Sequence, residues 1–70
     1  MRTDLLKTLA TNFGSNRMLA AKAIRGMYQL DPVGFPPAAA EVIWSGDDVE
    51  GAPFLLAILV AIFGRPCHNS

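Results

Sequence analysis

Residues 53–63 read PFLLAILVAIF, a run of apolar side chains without a polar interruption. A helix of this length spans roughly 17 Å, whereas a helix that crosses a bilayer needs about 20 residues, so the run does not predict a membrane span. Pro53 suits a first helical turn, and Gly64, Arg65 and Pro66 supply a left-handed stop, a cation and a helix breaker. The run therefore predicts a buried helix over 53–63. A fully buried strand, which its β-branched residues tolerate, is the alternative, but the chain shows no partner strand.

The apolar content is high for the length of the chain. Of its 70 residues 51% are hydrophobic, and a domain of this size buries only about 60% of the surface that its unfolded chain exposes. We predict a single helical domain over 1–66 and a flexible tail over 67–70. The lone Cys67 permits no internal disulfide, and the N-terminus lacks an apolar signal-peptide core, so the predicted location is cytoplasmic.

Charge is divided between the two parts of the chain, although the formal net charge is zero. Residues 1–30 carry five basic side chains and one acid, and residues 31–70 carry five acids and one basic side chain. One interpretation is scattered surface charge whose two signs attract each other modestly in the folded domain. The other is a basic face that meets an acidic partner, either nucleic acid or protein.

Two helices are predicted before residue 31. Thr3 can cap the first, whose apolar stripe of Leu5, Leu6, Leu9, Ala10 and Phe13 stops at Gly14. Ser15 can cap the second, predicted over 16–30. Its apolar side is expected to hold Leu19, Ala20, Ala23, Ile24, Met27 and Leu30. Gly26 is unfavourable inside a helix, so we expect either a bend there or the close approach of another backbone.

A third short helix is predicted over 38–44, after a stiff corner at 35–37 that contains two prolines. Ala39, Val42 and Ile43 are expected to face inward. Residues 45–51 form a polar loop before the apolar helix. The predicted fold class is therefore all-α, a compact bundle of three to four short helices around the apolar C-terminal helix.

The first two helices also allow a helix-turn-helix prediction. Ala10 and Gly14 stand four apart, as do the small residue and the turn glycine of that motif. A recognition helix starting near Ser15 would offer phosphates and bases the side chains of Asn16, Arg17, Lys22 and Arg25. Ala20, where the motif usually carries a branched core residue, and the neutral chain weigh against it. Nucleic-acid binding is therefore the alternative functional prediction.

The sequence predicts no catalytic, cofactor or metal site. Cys67 and His68 are adjacent but lack a second pair of ligands for zinc. The acids of the polar loop, Asp47, Asp48 and Glu50, lack the spacing of a calcium hand. We therefore predict a protein that is not an enzyme, with neither a cofactor nor a small-molecule substrate.

The apolar excess instead predicts a protein-binding module, a small regulator, inhibitor or adaptor that also associates with itself as a homodimer. A strip of the apolar helix left uncovered by its own chain would contact another protein or a second copy. The candidate interface residues are Phe54, Leu55, Ala57, Ile58, Ala61, Ile62, Trp44, Met27 and Tyr28.

Overall fold

Four α-helices and one short 3-10 turn form the fold, which a computed structural model describes for residues 1–45 and 48–64. The helices are α1 (Thr3–Thr11), α2 (Arg17–Leu30), α3 (Phe35–Ile43) and α4 (Ala52–Phe63), and the 3-10 turn (Phe13–Ser15) joins α1 to α2. The prediction of an all-α bundle of short helices is confirmed, and the alternative of a strand over 53–63 is wrong. The predicted tail over 67–70, together with Arg65 and Pro66, lies outside the described residues.

The first two helices meet through a very short connection, as predicted, but their caps differ from the prediction. Thr3 already lies inside α1, and the preceding Arg2 makes no side-chain capping bond. Ser15 belongs to the 3-10 turn, and Asn16 caps α2 instead, because its side-chain oxygen accepts a hydrogen bond from the Leu19 N–H at 3.1 Å. Asn16 is thus a cap residue, and its amide supplies one of the bonds that a helix start lacks.

The inward stripe of α2 is narrower than predicted. Ala20 and Ile24 are buried, whereas Leu19 and Leu30 at the flanks of the stripe are exposed. Gly26 does not meet the backbone of another element, since a Cβ placed there would find no atom within 4 Å outside the neighbouring backbone of α2.

The turn between α2 and α3 lets α3 begin earlier than predicted. Asp31 follows the last residue of α2, and its carboxylate accepts a hydrogen bond from the Gly34 N–H at 2.9 Å. Pro36 and Pro37 then occupy the first turn of α3, where a missing N–H costs nothing. The predicted stiff corner is therefore the start of the helix, and Phe35 is fully buried.

All four helices contribute to the core, and α3 packs mainly against α1 and α4. Its largest fully buried side chains are Phe35, Leu6, Ile24, Leu55 and Val42. α4 begins at Ala52 with Pro53 in its first turn, as predicted, but Gly64 follows it with a φ of −88° and is not the expected left-handed stop. None of the helices in the described ranges combines the length and apolar content that crossing a bilayer requires.

Candidate protein-binding surface

One side of α4 faces solvent along the whole helix. Its large side chains are substantially exposed: Leu56 is 48% exposed, Val60 60% and Phe63 71%. Ala57 and Ala61 are exposed as well, one helical turn apart. These five residues, here called the α4 face, form a continuous surface without a charged or polar side chain.

The opposite side of α4 packs into the core. Leu55 is fully buried, so the prediction that it belongs to a protein interface is wrong. The physical reason is its direction, because it points away from the exposed arc and into the cluster of core residues. Phe54, Ile58 and Ile62 are half-buried at the boundary between core and surface, so of the candidate residues on this helix Ala57 and Ala61 are the fully surface-facing ones.

The prediction did not include Leu56, Val60 or Phe63, although they carry most of the apolar area of the α4 face. A segment that is apolar on all sides has no periodic pattern, and therefore its sequence does not indicate which side turns outward. The side of α4 that is buried is decided by the other helices, which pack against it.

The candidates outside α4 lie in different environments. Tyr28 joins α4 in one shallow groove of about 220 Å³, which is lined by Arg25, Tyr28, Ile58, Ala61 and Ile62. Its ring also packs edge-on against Phe35, with centroids 5.4 Å apart. Met27 is half-buried against the core, and Trp44, 78% exposed at the end of α3, does not line this groove. The structure thus brings Tyr28, Ile58, Ala61 and Ile62 together.

A second surface lies on the outer side of α2, next to the start of α4. The rings of Phe13 and Phe54 stack with centroids 5.1 Å apart. Arg17 Cζ lies 5.7 Å from the Phe13 centroid, and Arg25 Cζ lies 5.4 Å from the Phe54 centroid. We call this the basic surface. An open depression of about 530 Å³ there is lined by Phe13, Arg17, Met18, Ala21, Lys22, Arg25 and Phe54.

Three of the four nucleic-acid candidates therefore share a surface, and the fourth caps the start of α2. Arg17, Lys22 and Arg25 are exposed around the depression, whereas Asn16 uses its side-chain oxygen to cap α2.

Replacing Asn16 with alanine should lower the free energy of unfolding by about 1 kcal/mol, because the Leu19 N–H loses its acceptor. Asn16→Asp, which restores a side-chain oxygen, should keep most of that stability. Chemical denaturation followed by circular dichroism measures both variants. Equal stability of the alanine and aspartate variants would show that the cap contributes nothing.

Of the three acids of the polar loop, the structure describes Asp48 and Glu50. Glu50 Oε1 accepts a hydrogen bond from the Gly14 N–H at 3.1 Å and so ties the loop to the turn after α1. Asp48 is exposed, and Asp47, Cys67 and His68 lie outside the described residues. Within residues 1–45 and 48–64, no group of three His, Cys, Asp or Glu side chains is placed to hold a metal ion.

No match to this chain was found among protein-family models, curated proteins or solved structures. The α4 face and the basic surface differ in chemical character. One is apolar and uncharged, and the other combines cations with aromatic rings.

Proposed function

We propose that this protein is a non-catalytic protein-binding module, a small regulator, inhibitor or adaptor, and that it works through the α4 face. The observation that supports this is the exposure of Leu56, Val60 and Phe63 on one side of a helix that carries no charge. Burying one large apolar side chain is worth roughly 1.5–3 kcal/mol. Even though these residues are partly covered already, a partner that completes their burial gains several kcal/mol before the costs of association.

A second copy of the chain suits this face. An uncharged surface can meet itself across a two-fold axis without like-charge repulsion, so that the same patch serves both partners. Ala57 and Ala61 leave room for a neighbouring helix to approach, and Leu56 and Val60 can pack beside that contact.

The size of the face sets the expected strength of this self-association. α4 has 12 residues and is therefore about 18 Å long. A contact confined to one side of a helix this short falls below the roughly 800 Å² per partner of a standard interface. We therefore expect a homodimer that forms at high protein concentration and dissociates on dilution, which leaves the face available to another protein.

Replacing Val60 with glutamate should abolish self-association, because a two-fold contact would bring two carboxylates together in an apolar interface. Sedimentation velocity across a concentration series should show a mass that rises with concentration for the parent and stays monomeric for the variant. Gln29→Glu adds the same charge at an exposed position of α2, and this variant should self-associate as the parent does. A parent that stays monomeric at every concentration, and binds neither a hydrophobic dye nor a protein partner, contradicts the proposal.

Nucleic-acid binding by α2 stays an untested prediction, and the local geometry does not favour it. The Phe13 and Phe54 rings stack on each other and each has an arginine over it, so a base that stacked on either ring would have to displace that arginine. The Glu50 carboxylate lines a neighbouring depression together with Arg17, and it does not line the depression of the basic surface. The cytoplasmic location likewise stays a prediction.

A further inference from the structure

We propose that the basic surface is a second binding site, which takes an acidic peptide segment that carries a large apolar side chain among its carboxylates. This inference does not depend on self-association through the α4 face. It is drawn from three features of the surface: its cations, which form no ion pair with a described acid, its apolar floor and the positions of its two arginines.

The three cations of this surface have no acidic partner in the described part of the chain. The ion pairs there join the N-terminal amine to Asp31 and Arg2 to Asp4, and neither involves α2. Arg17, Lys22 and Arg25 are exposed within about two turns of one helix. Such a concentration of positive charge attracts a segment with several carboxylates and orients its approach.

The floor between these cations is apolar. Met18 is 85% exposed at the edge of the depression, and Ala21 and the half-buried Phe54 ring form its base. A leucine or phenylalanine side chain of a peptide would cover this area and remove it from water. Phosphates of nucleic acid or of a lipid headgroup would gain nothing from it, which favours a peptide over either.

The arginines are held in position by the aromatic pair. Each guanidinium lies over a ring, an arrangement that is itself attractive and restricts the motion of a long side chain. The edge of a guanidinium stacked in this way remains free to donate two parallel hydrogen bonds to a carboxylate. A peptide carboxylate therefore meets a donor pair that has already lost much of its conformational freedom.

The direct test uses a fluorescein-labelled peptide with one central leucine flanked on both sides by glutamates. Fluorescence anisotropy with the full chain should show saturable binding that weakens as salt is added. A peptide with glutamine in place of every glutamate should bind at least tenfold more weakly, and replacing the central leucine with glycine should also weaken binding. A double-stranded DNA probe and vesicles of anionic lipid, labelled in the same way, should bind more weakly than the glutamate peptide.

Variants locate the site on the chain. The double variant Arg17→Gln with Arg25→Gln should lose affinity by about tenfold or more for each arginine, because each removes a charge-assisted hydrogen bond. Arg17→Lys with Arg25→Lys keeps the charge but not the paired donors and should fall between the parent and the glutamine variant. Arg2→Gln with Lys7→Gln removes the same charge from α1 and the residue that precedes it, and this variant should bind as the parent does. Circular dichroism checks that each variant folds.

The results separate this proposal from the proposed function. Val60→Glu should bind the peptide with parental affinity even though it no longer self-associates. The inference is overturned if the glutamate peptide does not bind, if the arginine variants bind it unchanged, or if DNA or anionic vesicles bind more tightly than the peptide. None of these results alters the expected self-association of the parent chain.

Discussion

Replacing Leu55 with alanine should lower the free energy of unfolding by about 2–5 kcal/mol, the usual cost of emptying a leucine-sized volume in a core. The side chain is fully buried in the hydrophobic cluster to which all four helices contribute. A chain of 70 residues is expected to have only about 3.5–10 kcal/mol of stability in total. The variant should therefore be close to unfolding at room temperature.

The matched control is the next residue along the same helix. Leu56 is 48% exposed, so Leu56→Ala removes the same atoms from a site that is already half in water and should cost less than about 1 kcal/mol. Urea denaturation of both variants should be followed at a protein concentration low enough to keep the chain monomeric, because self-association would add stability. Similar losses at the two positions would mean that α4 is turned differently from the orientation described above.

The contrast between these two leucines shows what the sequence of α4 was able to predict. Its existence, its first turn and its approximate length follow from an apolar run that begins with Pro53. The sequence does not predict which side of α4 faces the core, because a helix that is hydrophobic on every side has no polar side to mark the outward direction. The orientation depends on packing against α3 and on the loop that leads into α4.

The buried stripe of α2 is narrower than the stripe that its sequence predicts. Spacing alone places Leu19 and Leu30 near the inward side of α2, but the buried Ala20 and Ile24 lie at the centre of that side, and α2 covers only part of the core.

The start of α3 differs from its prediction for another reason. Pro36 and Pro37 are typical both of a rigid corner and of a first helical turn. The hydrogen bond from the Gly34 N–H to the Asp31 carboxylate closes the turn before them, so that the two prolines lie in the first turn of α3.

The basic surface was only half predictable. Helical spacing predicts that Arg17, Lys22 and Arg25 share a face, and the sequence makes these cations binding candidates. The sequence does not predict the aromatic rings beneath the two arginines, because Phe54 lies far from Phe13 along the chain and contacts it only when α4 packs against the rest of the fold. This long-range contact distinguishes a surface with an apolar floor from a simple row of cations, and so it changes the kind of partner that the surface fits.

Replacing Gly51 with alanine should lower the free energy of unfolding by about 2–3 kcal/mol, through the overpacking that follows when atoms are added to a filled site. Gly51 is buried at the start of α4, and a Cβ there would lie 2.9 Å from Ala10 Cα and 3.0 Å from Ala10 O. Because these are backbone atoms of α1, no side-chain rotation relieves the contact. The same two residues are joined by a hydrogen bond from the Gly51 N–H to the Ala10 carbonyl at 2.9 Å, which any separation would lengthen.

Gly26→Ala is the matched control, since it adds the same methyl group inside α2 with nothing within 4 Å, and it should raise stability by about 0.5–1 kcal/mol. The two alanine variants should thus shift the denaturation midpoint in opposite directions when both are measured by circular dichroism. A Gly51→Ala variant as stable as the parent would mean that α1 and the start of α4 are further apart than described. Because this contact also fixes the direction in which α4 leaves the loop, Gly51→Ala should weaken self-association even under conditions in which the chain remains folded.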